Sequence, residues 1–178
     1  MACAGVRRRT SVIVSEGHWR ADSYVQPIEI GAHVIASVWK HRQTTPWAQE
    51  AGGQLFGSVS DQTVVVSRAS GPYPKDERTR FGYRSDPIAA QEAIDNCSMA
   101  GMLYLGEWHT HAEDRPHPSP HDSIAMRQIV QRSTLNSSVL LLLIVGRRKE
   151  SISLAMFSWS AFGSHLWRYV ERVKATAY

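Results

Sequence analysis

Cysteine is nearly absent: the 178 residues hold two, Cys3 and Cys97, with no Cys-x-x-Cys pair between them. That excludes a disulfide framework, and a reducing cytoplasm is the expected compartment. Long apolar runs are also missing. The longest, Val139 to Val145, is too short to span a bilayer as a helix. Met1 to Ser15 carries basic residues but no apolar stretch of signal-peptide length, so neither export nor membrane insertion is expected. No His-Glu-x-x-His pair occurs, which excludes a zincin-type protease. No Pro-Cys-x-x-Cys follows a His-x-Glu, which argues against a nucleobase deaminase.

Charge of one sign is in small surplus. The formal net charge is +4, and much of it lies in Arg7-Arg8-Arg9 and Arg147-Arg148-Lys149. These read as a solvated tail and a charged turn. Basic residues interleaved with aromatic platforms are not found, so no nucleic-acid partner is expected. What remains, 43% hydrophobic and 20% charged over 178 residues, suits one globular domain with a hydrophobic core.

Periodicity gives a coarse layout. Ser11 to Ser15 is short and β-branched and reads as a strand or arm. Ile30, Val34, Ile35 and Val38 have helical spacing, predicting a helix over Ile30 to His41 that stops at Thr44-Thr45-Pro46. Gly52 to Val59 and Thr63 to Ala69 read as a hairpin around Ser60-Asp61-Gln62. A Pro- and charge-rich loop, Gly71 to Arg80, leads to a short strand at Arg80 to Arg84. Asp86 caps a helix with Pro87 at its first position, running to about Met99. Leu103 to His111 is a strand, Ser119 to Arg132 a helix, and Val139 to Val145 and Ser151 to Phe157 are strands joined by a turn at Gly146 to Glu150. Trp167 to Lys174 is expected to be a closing helix. The layout is α/β: a single domain, residues 1–178, with a central mixed sheet flanked by helices.

The chemistry lies in Glu107-Trp108-His109-Thr110-His111 and Ser119-Pro120-His121-Asp122. On a strand His109 and His111 project from one face, so both imidazoles can grip one ion. Asp122, in the first turn of the next helix, can return to the same point. Two imidazoles and one carboxylate leave a fourth tetrahedral position open, as in a catalytic zinc site. The same donor set suits non-haem iron. Ser119 and Asp122 also read as a plain helix start, N-cap and N3 of a capping box with Pro120 at N1, with no metal needed.

The full pattern resembles the JAB/MPN family and its JAMM motif. That motif is an upstream glutamate, then His-x-His, seven residues, Ser, two residues and Asp. Here His109-Thr-His111 is followed by the seven residues Ala112 to Pro118, then Ser119 and Asp122. The upstream glutamate is Glu50, in Glu50-Ala-Gly-Gly-Gln-Leu-Phe-Gly57. The order of elements fits from about Ile30 to Phe157. Gly106-Glu-Trp-His-Thr-His111 and Gly71 to Arg80 look most like a bacterial branch, whose members sit in antiphage operons beside ubiquitin-like conjugation machinery. Some of those operons are of the cyclic-oligonucleotide (CBASS) type.

The resemblance implies a zinc metalloprotease with one ion per chain, held by His109, His111 and Asp122. Glu50 would be the general base and later the proton donor to the leaving amine, and Ser119 would donate a hydrogen bond to the oxyanion. The implied substrate is a conjugated nucleotidyltransferase C-terminal tail or a ubiquitin-like modifier. The implied functional partner is an operon-encoded ubiquitin-activating and conjugating enzyme. A processing peptidase for a ubiquitin-like or sulfur-carrier precursor, and a silent scaffold, are the alternative readings.

Around this set, Glu107 shares the strand face of His109 and reads as half of a structural ion pair, with a hydrogen-bonding role toward the ligands as the alternative. His117 and His121 read as surface residues. Trp108, pointing away from the ligands, reads as core, as do the scattered Trp39, Trp47, Trp159 and Trp167. The loops Gly71 to Arg80 and Ala112 to Pro118 are placed to flank a substrate tail.

Overall fold

A computed structural model describes residues 17–22, 24–132 and 139–171; the strand expected at Ser11 to Ser15 lies outside them. In chain order the elements are β1 (Gly17–Arg20), β2 (Ile28–Ile30), α1 (Ala32–Trp39), β3 (Gly52–Val59), β4 (Val64–Ala69), β5 (Glu77–Thr79) and β6 (Gly82–Arg84). Then follow α2 (Pro87–Met99), β7 (Leu103–Thr110), α3 (Pro120–Arg132), β8 (Leu140–Val145), β9 (Leu154–Ser160) and β10 (Gly163–Glu171).

Eight strands form one mixed sheet in the order β1-β10-β9-β8-β7-β3-β4-β2, and β2 pairs back onto β1 so that the sheet closes. The pairs β2–β4 and β7–β8 are parallel, the others antiparallel. β5 and β6 form a separate hairpin.

The apolar run of β8 follows from burial on both faces. Leu141, Leu143 and Val145 join the main core with Trp108, Met156 and the α1 residues Val34, Ile35 and Val38. Leu140, Leu142 and Ile144 pack on the other face with Met126 of α3 and Trp159. α2 starts as its sequence dictates: the Asp86 carboxylate accepts from the Ile88 N–H at 3.1 Å, and Pro87 opens the helix.

Five expectations are corrected. The closing helix at Trp167 is the strand β10, and Lys174 lies outside the described residues. Its period is two: Trp167 is buried while Leu166 and Val170 are exposed, and the Trp167 indole N–H donates to Ser158 Oγ at 3.0 Å. The first helix is shorter than Ile30 to His41, because Ile30 pairs with Val66 in the sheet. The Gly71 to Arg80 loop contains β5, which pairs with β6. The segment from Ser151 begins with one 3₁₀ turn, Ser151–Ser153, before β9. Among the Trp residues, Trp19, Trp108, Trp159 and Trp167 are core, whereas Trp47 is 80% exposed.

Gly106 decides what β7 presents. Its φ is +149°, and a Cβ there would lie 2.0 Å from the Leu141 carbonyl oxygen. Opposite it the β3–β7 register slips: Leu55 faces Gly106, but Phe56 faces Tyr104. This bulge inserts one residue, so Tyr104 and Glu107, three apart, reach the same face.

Candidate metal centre

His109 lies near the end of β7 and His111 just beyond it, where the His111 N–H donates to Val145 O at 3.0 Å. Both imidazoles are buried. Asp122 sits in the first turn of α3. Its Oδ1 is 3.4 Å from His109 Nε2, its Oδ2 is 3.3 Å from His111 Nε2, and the two Nε2 atoms are 3.0 Å apart. A tetrahedral ion with bonds of about 2.0–2.1 Å requires donor atoms about 3.3 Å from one another. The three side chains therefore fit one metal ion.

The helix start that holds Asp122 is a reciprocal cap. The Ser119 N–H donates to Asp122 Oδ2 at 2.6 Å, and the Asp122 N–H donates to Ser119 Oγ at 3.1 Å. Capping and metal binding are thus compatible uses of one carboxylate. Burial would raise the Asp122 pKa, but the bonds from His109 and His111 hold it well below the usual carboxylate range. Burial would lower the His111 pKa, but the Asp122 carboxylate outweighs it and the net direction is upward. The seven-residue spacer is anchored by Asp114, which pairs with Arg147 at 3.0 Å and Arg148 at 2.8 Å. Two residues of the basic turn at 147–149 thus have a structural use.

Glu50 is buried two residues before β3. Its N–H donates to Thr79 O at 2.7 Å, and its carbonyl accepts from Arg78 Nε, so the β5 strand pins its backbone. Burial pushes its carboxyl up to about 7, against the opposing pull of His111. Glu50, His111, Ser119 and Asp122 line one cavity of about 280 Å³. The structure thus brings together all five residues singled out in the sequence. His117 and His121 are exposed, as expected.

Glu107 is not half of an ion pair among the described residues. Its Oε1 accepts from the Tyr104 hydroxyl at 2.5 Å and its Oε2 from Gln54 Nε2 at 3.1 Å. Gln54 Oε1 in turn accepts from Tyr73 at 2.7 Å and Ser70 at 3.0 Å. Burial pushes Glu107 up to about 7 even against those two donors. A neutral network replaces the expected pair because the bulge at Gly106 brings Tyr104 over the carboxyl. Tyr104 and Gln54 are unrecognisable from spacing; Gly106 was their one signal. Thr110, between the two histidines, was also missed: it is fully buried, and its Oγ1 accepts from the Ala51 N–H at 3.0 Å.

Fold and site together define an α/β domain whose closed mixed sheet carries, at the end of a central strand, two histidines and one aspartate that could hold a metal ion. The chain belongs to the family of prokaryotic homologues of the JAB domain, whose model matches residues 31–161. Three curated relatives are each named CD-NTase/cGAS isopeptidase. The protein from Escherichia coli is 33% identical over 130 residues, covering 71% of this chain and 81% of the relative. That from Vibrio cholerae is 36% identical over 124 residues, covering 68% and 77%. That from Pseudomonas aeruginosa is 31% identical over 140 residues, covering 76% and 87%. A Desulfitobacterium hafniense protein solved in solution shares the fold, with a TM-score of 0.55 at 23% identity over 78% of this chain and 88% of that one. No helix among the described residues is long and apolar enough to cross a membrane.

Proposed function

We propose that this chain is a zinc-dependent isopeptidase that releases a conjugated nucleotidyltransferase from its target, hydrolysing the bond after the C-terminus of the nucleotidyltransferase. The observation that carries the reading is the convergence of His109, His111 and Asp122 beside the buried Glu50 in one cavity. The three isopeptidase relatives favour a nucleotidyltransferase tail over a ubiquitin-like modifier or a sulfur-carrier precursor. The chain acts as one cytoplasmic domain holding one zinc ion, and serves alongside an operon-encoded activating and conjugating enzyme.

His109, His111 and Asp122 hold the ion, with the Ser119 cap fixing Asp122. When bound, zinc supplies a Lewis acid for the scissile carbonyl and makes water nucleophilic near neutral pH. Glu50 takes the proton of the attacking water and delivers it to the leaving lysine amine. A carboxyl held near pH 7 by burial suits both transfers. The Ser119 hydroxyl accepts from the Asp122 N–H, which leaves its own hydrogen free to donate to the developing oxyanion. Among the described residues the hairpin of β5 and β6 joins no other strand; Glu50 bonds to its β5 side, which leaves β6 as its edge, and its tip lines the Glu50 cavity. A substrate tail adding as an extended strand at this edge would be held through main-chain bonds.

The test is cleavage of a fusion between a nucleotidyltransferase C-terminus and a reporter by wild type, Glu50→Gln and chelator-treated protein. Cleavage by the untreated wild type alone is expected. Zinc binding with no cleavage of nucleotidyltransferase, modifier or precursor fusions would overturn the isopeptidase assignment, and a protein that takes up no zinc would be a scaffold. Replacing residues 71–80 is expected to abolish cleavage with zinc retained; unchanged cleavage would remove that loop from substrate binding.

A further inference from the structure

Beside the metal centre lies a second, larger cavity of about 680 Å³. It shares Tyr83, His121 and Asp122 with the Glu50 cavity, and His109 lines it as well. A chain lying in both cavities therefore passes over the metal ligands. Glu50 and Ser119 line the smaller one alone, while Glu107, Tyr104 and Gln54 line the larger one alone. On the proposed isopeptidase reading, Glu50 protonates the leaving amine, so the lysine side of the bond lies in the smaller cavity. The acyl side, the tail, lies in the larger.

The larger cavity has a particular chemistry. Ile94 of α2 and Met126 and Ile129 of α3 give it apolar walls, Leu142 lies beneath, and the one arginine of its lining, Arg84, pairs with Glu77 at 3.8 Å. Glu107 opens into this space. Its two hydrogen bonds come from uncharged groups, and no cation pairs with it among the described residues. A carboxyl in apolar surroundings with two neutral donors and no counter-charge is stabilised by a cation brought to it. An aliphatic stem suits the walls and a cationic head suits the floor, which is the division found in lysine and arginine side chains.

We propose that the cavity is a specificity subsite in which Glu107 receives a lysine or arginine side chain of the conjugated tail, close to the scissile bond on its acyl side. Rested on the isopeptidase reading, the assignment makes Glu107 a selector of substrate rather than a participant in proton transfer. Apolar walls beside the contact strengthen it relative to bulk water, which lets a single carboxyl discriminate.

The experiment has two arms. In the first, reporter fusions vary one of the last five tail residues at a time between lysine, arginine, methionine and glutamate. At one position wild type is expected to cleave the basic variants with kcat/KM at least about tenfold above methionine. Glu107→Gln is expected to bring that ratio near one. Ala90→Phe, which narrows the cavity from α2, is expected to lower kcat/KM for every tail. A wild type that cleaves tails with no basic preference at any of the five positions overturns the subsite and leaves the isopeptidase reading intact.

The second arm measures binding of free tail peptides to zinc-loaded Glu50→Gln and to Glu50→Gln/Glu107→Gln. It stands even if no fusion is cleaved. Tighter binding of a basic peptide that disappears in the double variant supports the subsite, and equal binding of basic and methionine peptides overturns it.

Discussion

Thr110 and Ala51 hold each other twice: the Ala51 N–H donates to Thr110 Oγ1 at 3.0 Å, and the Thr110 N–H donates to the Ala51 carbonyl at 2.8 Å. The first bond ties the residue between the two histidines to the residue after Glu50. Thr110→Val keeps the shape and deletes the acceptor, leaving a buried N–H unsatisfied at about 1–3 kcal/mol. The expected result is a lower denaturation midpoint and a fall in kcat of about tenfold, since small misplacements of a proton-transfer group are costly. Zinc content should stay at one per chain, and Thr110→Ser should recover both losses. Unchanged kcat in Thr110→Val would show that the bond does not position Glu50.

Ser119 has a capping use and a proposed catalytic one, and different substitutions separate them. As N-cap it accepts from the Asp122 N–H, and Ala there costs about 1 kcal/mol whereas Gly costs a few tenths. As oxyanion donor its loss costs about 10²–10³ in kcat. Ser119→Gly should therefore keep most of the stability and the zinc while losing activity to that extent. If Ser119→Gly turns over like wild type, the hydroxyl is a cap alone.

The metal cluster was legible because its parts are local. His109 and His111 follow the strand period, and Ser119, Pro120 and Asp122 spell a helix start, so spacing brought them to the right places. α2 was legible from Asp86 and Pro87 for the same reason. β10 was not. Trp167 and Tyr169 alternate with exposed Leu166 and Val170, but that pattern has meaning only against β9 and β1, whose pairing is set by closure of the sheet. Glu107 was misjudged because its partners, Tyr104 and Gln54, depend on a bulge and on a neighbouring strand. Thr110 looked like a spacer because its partner, Ala51, is distant in the chain.

The metal-free protein should lose stability as pH rises. Burial raises both Glu50 and Glu107 to about 7 from an ordinary 4.5, so the folded state holds their protons more tightly than the unfolded chain. Their contribution is complete below 4.5 and is lost as pH climbs through about 7. His111, also raised, acts in the same direction above 6.5. Asp122, held below its ordinary 3.8, is constant across this window. Denaturant titrations at about pH 5 and about pH 7.5 should show the decline, and Glu107→Gln should flatten part of it. Zinc should reverse the trend, because protons compete with the ion for the imidazoles and its stabilisation grows with pH. A Glu107→Gln protein with the full wild-type slope would remove Glu107 from this balance.

Gly106 is the residue on which the metal centre and the larger cavity both depend. Its φ of +149° disfavours any side chain, and a Cβ would meet the Leu141 carbonyl oxygen, backbone of the adjacent strand, at 2.0 Å. Relief requires β7 and β8 to separate or the bulge to unwind. Unwinding would restore strict alternation and turn Tyr104 away from the face of Glu107 and His109. Gly106→Ala should therefore cost about 3 kcal/mol or more, and any folded fraction should bind zinc weakly. The denaturation midpoint and zinc content of the purified variant decide this. A variant with the wild-type midpoint and full zinc would mean that β7 can present its histidines without the bulge, and that Gly106 serves only close packing against β8.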